Sequence, residues 1–155
     1  MKVLTTVLFM SFAILSTSCG NDDGNSNEST NGSFTAKING TNYDAEFVNG
    51  FIVVLGTNIS ISGSEANGNN VVINFPTDAE AGDTFTVGGL QFIGSYDSNN
   101  GDGAVASEGT LTISAHDPEA KTVSGTFNFI AEPLASGGTS YNITEGRFSS
   151  SYDEL

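Results

Sequence analysis

The strongest constraint on this chain is a period of two. Beyond Ser33, apolar side chains recur at every second position in short runs, separated by tight-turn residues. Successive side chains of an extended strand point to opposite faces, so each run describes a strand with one buried and one solvated face. Phe34, Ala36 and Ile38 form the first run, and Asn39-Gly40 ends it. Tyr43, Ala45 and Phe47 form the second, with Asp44 and Glu46 on its solvated side, and Asn49-Gly50 follows. Both Asn-Gly pairs are expected to be hairpin turns, because a type I′ turn needs positive φ at both central residues. Residues 51–55 (FIVVL) are uninterruptedly apolar, as in a strand covered on both faces.

The same rhythm continues to the end. Ile59 and Ile61 mark one strand, and Val71, Ile73 and Phe75 mark the next, which Pro76 stops. Phe85 and Val87 follow, then Leu90, Phe92 and Tyr96. Leu111, Ile113 and Ala115 share a face, with Thr110, Thr112, Ser114 and His116 opposite. After a turn at 117–121 (DPEAK), Val123, Gly125, Phe127 and Phe129 line one side. Tyr141 and Ile143 open a final strand in which Phe148 has the wrong parity, which predicts a bulge near Glu145-Gly146. No segment after residue 18 has helical period. The expected fold is all-β: a single antiparallel β-sandwich of about nine or ten short strands. A closed or partly open β-barrel is the alternative, since periodicity does not separate the two.

The N-terminus has a different character. Lys2 is followed by an apolar run from Val3 to Leu15, then by Ser16, Thr17, Ser18 and Cys19, the only cysteine. A positive start, a short apolar core and a small-residue cleavage site form a secretory signal. A transmembrane helix needs about 20 apolar residues, more than this run supplies. Cys19 at the first mature position is the expected lipid acceptor, although Ser16 stands where a lipobox usually has Leu, Val or Ile. Residues 1–18 are thus expected to be removed, and 19–32 to be a lipidated, flexible, acidic tether. The stretch 20–32 has no apolar residue with which to offset ordering entropy. The β domain is placed at 33–150, with a tail at 151–155.

Charge narrows the partners. Beyond residue 18 there are three basic residues, Lys37, Lys121 and Arg147, against 18 acidic ones, a side-chain charge of −15. Such a chain repels phosphate backbones, which argues against nucleic acid, and anionic headgroups, so the lipid must do the anchoring.

Several stretches resemble a family of small β-rich lipoproteins of unknown function from the Bacteroidota, of flavobacterial type. They are residues 34–40 (FTAKING), 82–87 (GDTFTV), 109–113 (GTLTI) followed by 121–129 (KTVSGTFNF), and 143–148 (ITEGRF). The resemblance covers nearly all of 33–150. It implies a β domain on a lipid anchor and supplies no activity, so no catalytic residue is carried over. Acidic residues just after the lipid cysteine resemble a surface-export signal in such bacteria, and Asp22 and Asp23 fit that position.

Candidate sites are few. His116, the only histidine, is read as a surface residue, because a triad needs a nucleophile and an orienting partner and none is evident. Asp44 and Glu46 lie two apart, at a separation that glycoside hydrolysis uses, but on a solvated face. Residues 97–103 (DSNNGDG) are rich in oxygen donors. An EF-hand would need a ligand at Gly101 and a glycine at Asp102, so Asp97, Asn99 and Asp102 remain calcium candidates without that spacing. Residues 77–83 form a second acidic loop. Ile52, Val54, Val72 and Ile130 fall on the faces opposite the expected core, and form an apolar partner patch if they converge. No cofactor and no enzymatic activity are expected. The sequence reads as an outer-membrane lipoprotein, lipid-anchored and at the cell surface, carrying a binding or adhesion module for an extracellular glycan or protein. The alternative is a structural accessory facing the periplasm.

Overall fold

A computed structural model describes residues 32–53, 56–88 and 91–154. The signal segment, Cys19, the tether, Val54 and Leu90 lie outside these described residues. The strands are β1 (Gly32–Ile38), β2 (Thr41–Asp44), β3 (Phe47–Val53), β4 (Asn58–Ser64), β5 (Asn70–Pro76) and β6 (Thr84–Thr86). They continue as β7 (Ile93–Asp97), β8 (Gly103–Asp117), β9 (Thr122–Pro133), β10 (Tyr141–Ser151) and β11 (Asp153–Glu154). All belong to one sheet, in the order β11-β3-β4-β5-β7-β8-β9-β10-β1-β2, with β6 paired to β8 beside that path.

The domain is all-β, as the alternation predicts, and the sheet is not closed into a barrel. It folds over on itself, so that its two halves face each other across one core. Phe75 of β5 meets Phe148 of β10 with ring centroids 5.8 Å apart, and the Phe34 ring of β1 lies over Gly63 of β4. One pairing departs from the antiparallel expectation. The chain leaves β10 at Ser151, passes through Tyr152 and lies along β3 as the parallel strand β11. Its direction is inherited from β10, and the Tyr152 amide is held by the Lys121 carbonyl at 3.0 Å.

Residue size explains how a glycine-rich chain packs this core. Phe34, Phe127, Phe129 and Phe148 are all buried, and each ring lies over a glycine of another strand. A Cβ on Gly63 would lie 2.6 Å from the Phe34 ring, and one on Gly94 2.9 Å from Phe129. One on Gly146 would lie 2.5 Å from Phe127, and one on Gly125 2.7 Å from Phe148. A missing side chain on one strand thus makes room for a large one on another, which restores close packing.

Two local expectations hold in detail. Asn39 and Gly40 have φ of 50° and 81°, as a type I′ hairpin between β1 and β2 requires. The β9–β10 register shifts between Ile143 and Gly146, and Glu145 has φ 53°, so the bulge brings Phe148 back to the core.

Three others are corrected. Asn49-Gly50 is not a turn but the middle of β3, where Gly50 lies against the Ser151 carbonyl and the Ile61 and Tyr152 side chains with no room for a side chain. Phe47, expected inside, is 43 % exposed, because β2 ends at Asp44 and β3 restarts with Val48 inward. Ala115 is exposed and His116 half-buried, the reverse of the alternation, because the β8–β9 register shifts between Ile113 and Ala115.

Tyr43 joins the two halves. Its hydroxyl donates to the Gly63 carbonyl of β4. Burial pushes its phenol well above the ordinary tyrosine range, with the charge of Glu65 acting in the same direction. A tyrosine of the unfolded chain ionises near pH 10. Neutral Tyr43 is therefore a folded-state preference that contributes fully below about pH 10 and is lost as pH rises above it. Urea midpoints should be flat from pH 8 to about 10 and then fall, with Tyr96 and Tyr152 shifted in the same sense. Tyr43→Phe should cost about 1 kcal/mol at neutral pH and flatten the alkaline fall. An unchanged fall in that variant would remove Tyr43 from the account.

Candidate functional site

The sheet has an inner face, which covers the core, and an outer face. Register decides which outward side chains become neighbours. On β8, β9, β10, β1 and β2 the outward residues are almost all polar. One row across the strands reads Thr112, Thr126, Arg147, Thr35 and Asp44. Next to it, Lys37 pairs with Thr144 on one side and Asn42 on the other. Glu108, Ile130 and Asn142 line up across β8, β9 and β10.

Bulges turn this face into two grooves. One bulge lies in β8 between Ala106 and Glu108, the other in β10 between Ile143 and Gly146. Between them, over β9, is a groove of about 350 Å³ with Ile130 as apolar floor and Glu108, Asn128, Asn142 and Thr144 around it. Gly109 contributes only backbone, since a Cβ there would meet Phe129 at 2.5 Å. On the far side of the β10 bulge is a second groove of about 280 Å³, lined by Thr35, Lys37, Asn42, Asp44, Glu145 and Arg147. Thr144 faces one groove and its neighbour Glu145 the other. Bulges often sit where a sheet must re-aim side chains toward a ligand.

What the groove side chains already do is decisive. Lys37 is paired with Glu145 at 2.7 Å, and Asn128 donates to Thr110 Oγ1 at 2.9 Å. The side chains of Glu108, Asn142, Asn42, Asp44 and Arg147 make no hydrogen bond or ion pair among the described residues. The loops at the end of the sheet away from Gly32 are the opposite case. There Asn67 and Asn69 both donate to Glu65 Oε2, at 3.0 and 2.8 Å. The Asn99 amide is bound by Asn69 Oδ1 at 3.1 Å. Those polar groups hold the loops in shape.

The residues singled out from sequence are not brought together. Ile52 pairs with the fully buried Ile59 and packs on the core side. Val72 pairs with Ser62 and Ser95 on the outer face, while Ile130 lies in the first groove, with β7 and β8 between them. Val54 lies outside the described residues. Strand parity alone set the expected patch, and the restart of β3 moved Ile52 to the other face. Asp97, Asn99 and Asp102 sit in a loop closed by the Ser98 amide on the Asp102 carbonyl, at 3.3 Å. Among the described residues no group of three or more His, Cys, Asp or Glu side chains could hold a metal ion. Asp44 and Glu46 do not share a strand, since β2 ends at Asp44.

His116 is corrected more sharply. It is half-buried, with Nδ1 2.7 Å from the Ala79 carbonyl and Nε2 2.9 Å from the Tyr152 hydroxyl. A carbonyl only accepts, so Nδ1 carries the proton and Nε2 accepts from Tyr152 in the neutral ring. The ring fastens the crossing into β11 to the 77–83 loop.

In the sequence Lys37 and Arg147 enter only through the charge balance and Glu108 not at all, each being one polar residue on the solvated side of a strand. The available signal was scarcity. Two of the three cations beyond residue 18 lie in strands that close the same hairpin-built half, and both enter one groove.

Residues 30–150 match the sequence model of a family described as a domain of unknown function (DUF6252), and the chain therefore belongs to that family. No curated protein and no solved structure matches it.

Proposed function

We propose that this member of the DUF6252 family is an outer-membrane lipoprotein that displays a non-catalytic binding or adhesion module at the cell surface. The anchoring part rests on the apolar segment before Cys19 and on the acidic, apolar-free stretch after it. The binding part rests on one observation: the outer face of β8, β9, β10, β1 and β2 carries two adjoining grooves whose polar side chains are largely uncommitted. Unspent donors and acceptors in a preformed concavity are what a recognition site offers. Asp44, Glu108 and Glu145 are exposed.

Protease shaving of intact cells, with lysed cells as control, tests this reading. Cleavage within 19–32 on intact cells should release the domain into the medium. Protection until lysis would remove the surface placement and favour a periplasm-facing accessory of an envelope complex, to be sought by crosslinking.

A further inference from the structure

We infer that the two grooves are subsites for one neutral glycan chain lying across β9, β10 and β1, an inference that rests on the binding-module reading above. The first argument is chemical pairing. A sugar hydroxyl both donates and accepts, so it is matched by a mixture of acceptor-only, donor-only and dual groups. The grooves present that mixture: Glu108 and Asp44 accept, Arg147 donates, and Asn128 and Asn142 do both. Ile130 gives the first groove an apolar floor for the C–H face of a ring.

The second argument is charge. The second groove holds Lys37 and Arg147 against Asp44 and Glu145 and is balanced, so a net-charged ligand gains little there. A polyanion would be repelled by the rest of the chain, at −15 beyond residue 18.

The third is the lack of an anchor for a protein partner. Protein interfaces concentrate their energy in buried large side chains at the centre. The exposed large hydrophobic residues among those described are Phe47, Ile93 and Leu134, and none lines either groove. Spacing supports a chain rather than a single sugar, since β9 and β1 are two strand spacings apart, roughly 9.5 Å, and the β10 bulge is the wall common to both grooves.

The test is a titration of the ¹⁵N-labelled full chain in detergent micelles with cello-, xylo-, manno- and laminarihexaose, and with polygalacturonate as the anionic comparison. At least one neutral hexasaccharide should produce saturable shifts at the amides of Gly109, Asn128, Thr144 and Arg147 together, and polygalacturonate should bind far more weakly. Asn142→Ala and Arg147→Ala, both at exposed positions, should keep the fold and each weaken binding about tenfold. Shifts confined to the 65–69 and 98–102 loops would overturn the inference, as would unchanged affinity in both variants. A silent titration at millimolar sugar would overturn it too. If the domain is nevertheless shaved from intact cells, the surface reading stands and a protein partner replaces the glycan. Protection until lysis strikes the surface reading itself, whatever the titration gives.

Discussion

Phe127→Ala should lower the unfolding free energy by about 3–5 kcal/mol, the range for removing a buried aromatic ring. Phe127 is 2 % exposed and lies near the middle of β9. Its ring centroid is 5.1 Å from that of Phe34, 6.1 Å from Phe129 and 6.4 Å from Phe148. Phe34 in turn fills the space over Gly63 on the opposite half of the sheet. Phe127 is therefore the point where three rings meet, one of which, Phe34, reaches the opposite half, and it also covers Gly146 in the β10 bulge. Its removal leaves a cavity that the bulge cannot collapse into without losing its register. A domain of this size is stable by about 5–15 kcal/mol, so the loss is a large share of the total. Phe127→Leu keeps most of the volume and should cost about 1–2 kcal/mol, chiefly the ring contacts. Urea midpoints at unchanged slope measure both. A loss below about 1 kcal/mol for the alanine variant would mean that the aromatic cluster is not what holds the halves together.

Local signals suffice wherever the local chain settles the conformation. Asn39-Gly40 needs nothing beyond its own φ preferences to make a hairpin, and the parity break at Phe148 has no reading other than an inserted residue. The same dipeptide at Asn49-Gly50 makes no turn because its glycine answers to a distant segment. Gly50 is required where the chain around Ser151 and Tyr152 crosses to β3, a hundred residues further on. His116 departs from the alternation for a related reason: one inserted residue between Ile113 and Ala115 exchanges the faces beyond it, and the two groups that bind the ring, Ala79 and Tyr152, are remote in sequence. The grooves were illegible as a site. Each contributing residue is an ordinary polar residue on a solvated face, and only the register of five strands makes Glu108, Asn142, Lys37 and Arg147 neighbours.

Gly125→Ala should cost about 2–3 kcal/mol although it adds only a methyl group, toward the upper end of what overpacking a filled core brings. The position does not call for a glycine on backbone grounds, since its φ is not positive, and alanine would ordinarily be the better strand residue. What forbids it is space. The new Cβ would lie 2.7 Å from the Phe148 ring and would also press on the Thr112 carbonyl of β8. Phe148 has little room to yield, since it is buried between Phe75 and Phe127, 5.8 and 6.4 Å away between centroids. Gly40→Ala gives the contrast. There a Cβ meets nothing within 4 Å, and the penalty comes only from φ of 81°, about 1 kcal/mol. The two glycines thus separate the cost of a contact from the cost of a backbone angle. A double-mutant cycle isolates the contact. Phe148→Leu alone should cost about 1–1.5 kcal/mol. Combined with Gly125→Ala, the total should fall short of the sum by about 1 kcal/mol, because the smaller side chain vacates space that the methyl group then occupies. The relief should be partial, since the Thr112 carbonyl belongs to the β8–β9 ladder and cannot withdraw. Strict additivity would mean that the ring over Gly125 is not a packing constraint, and would undo the account of glycine–phenylalanine complementarity as the way this glycine-rich chain fills its core.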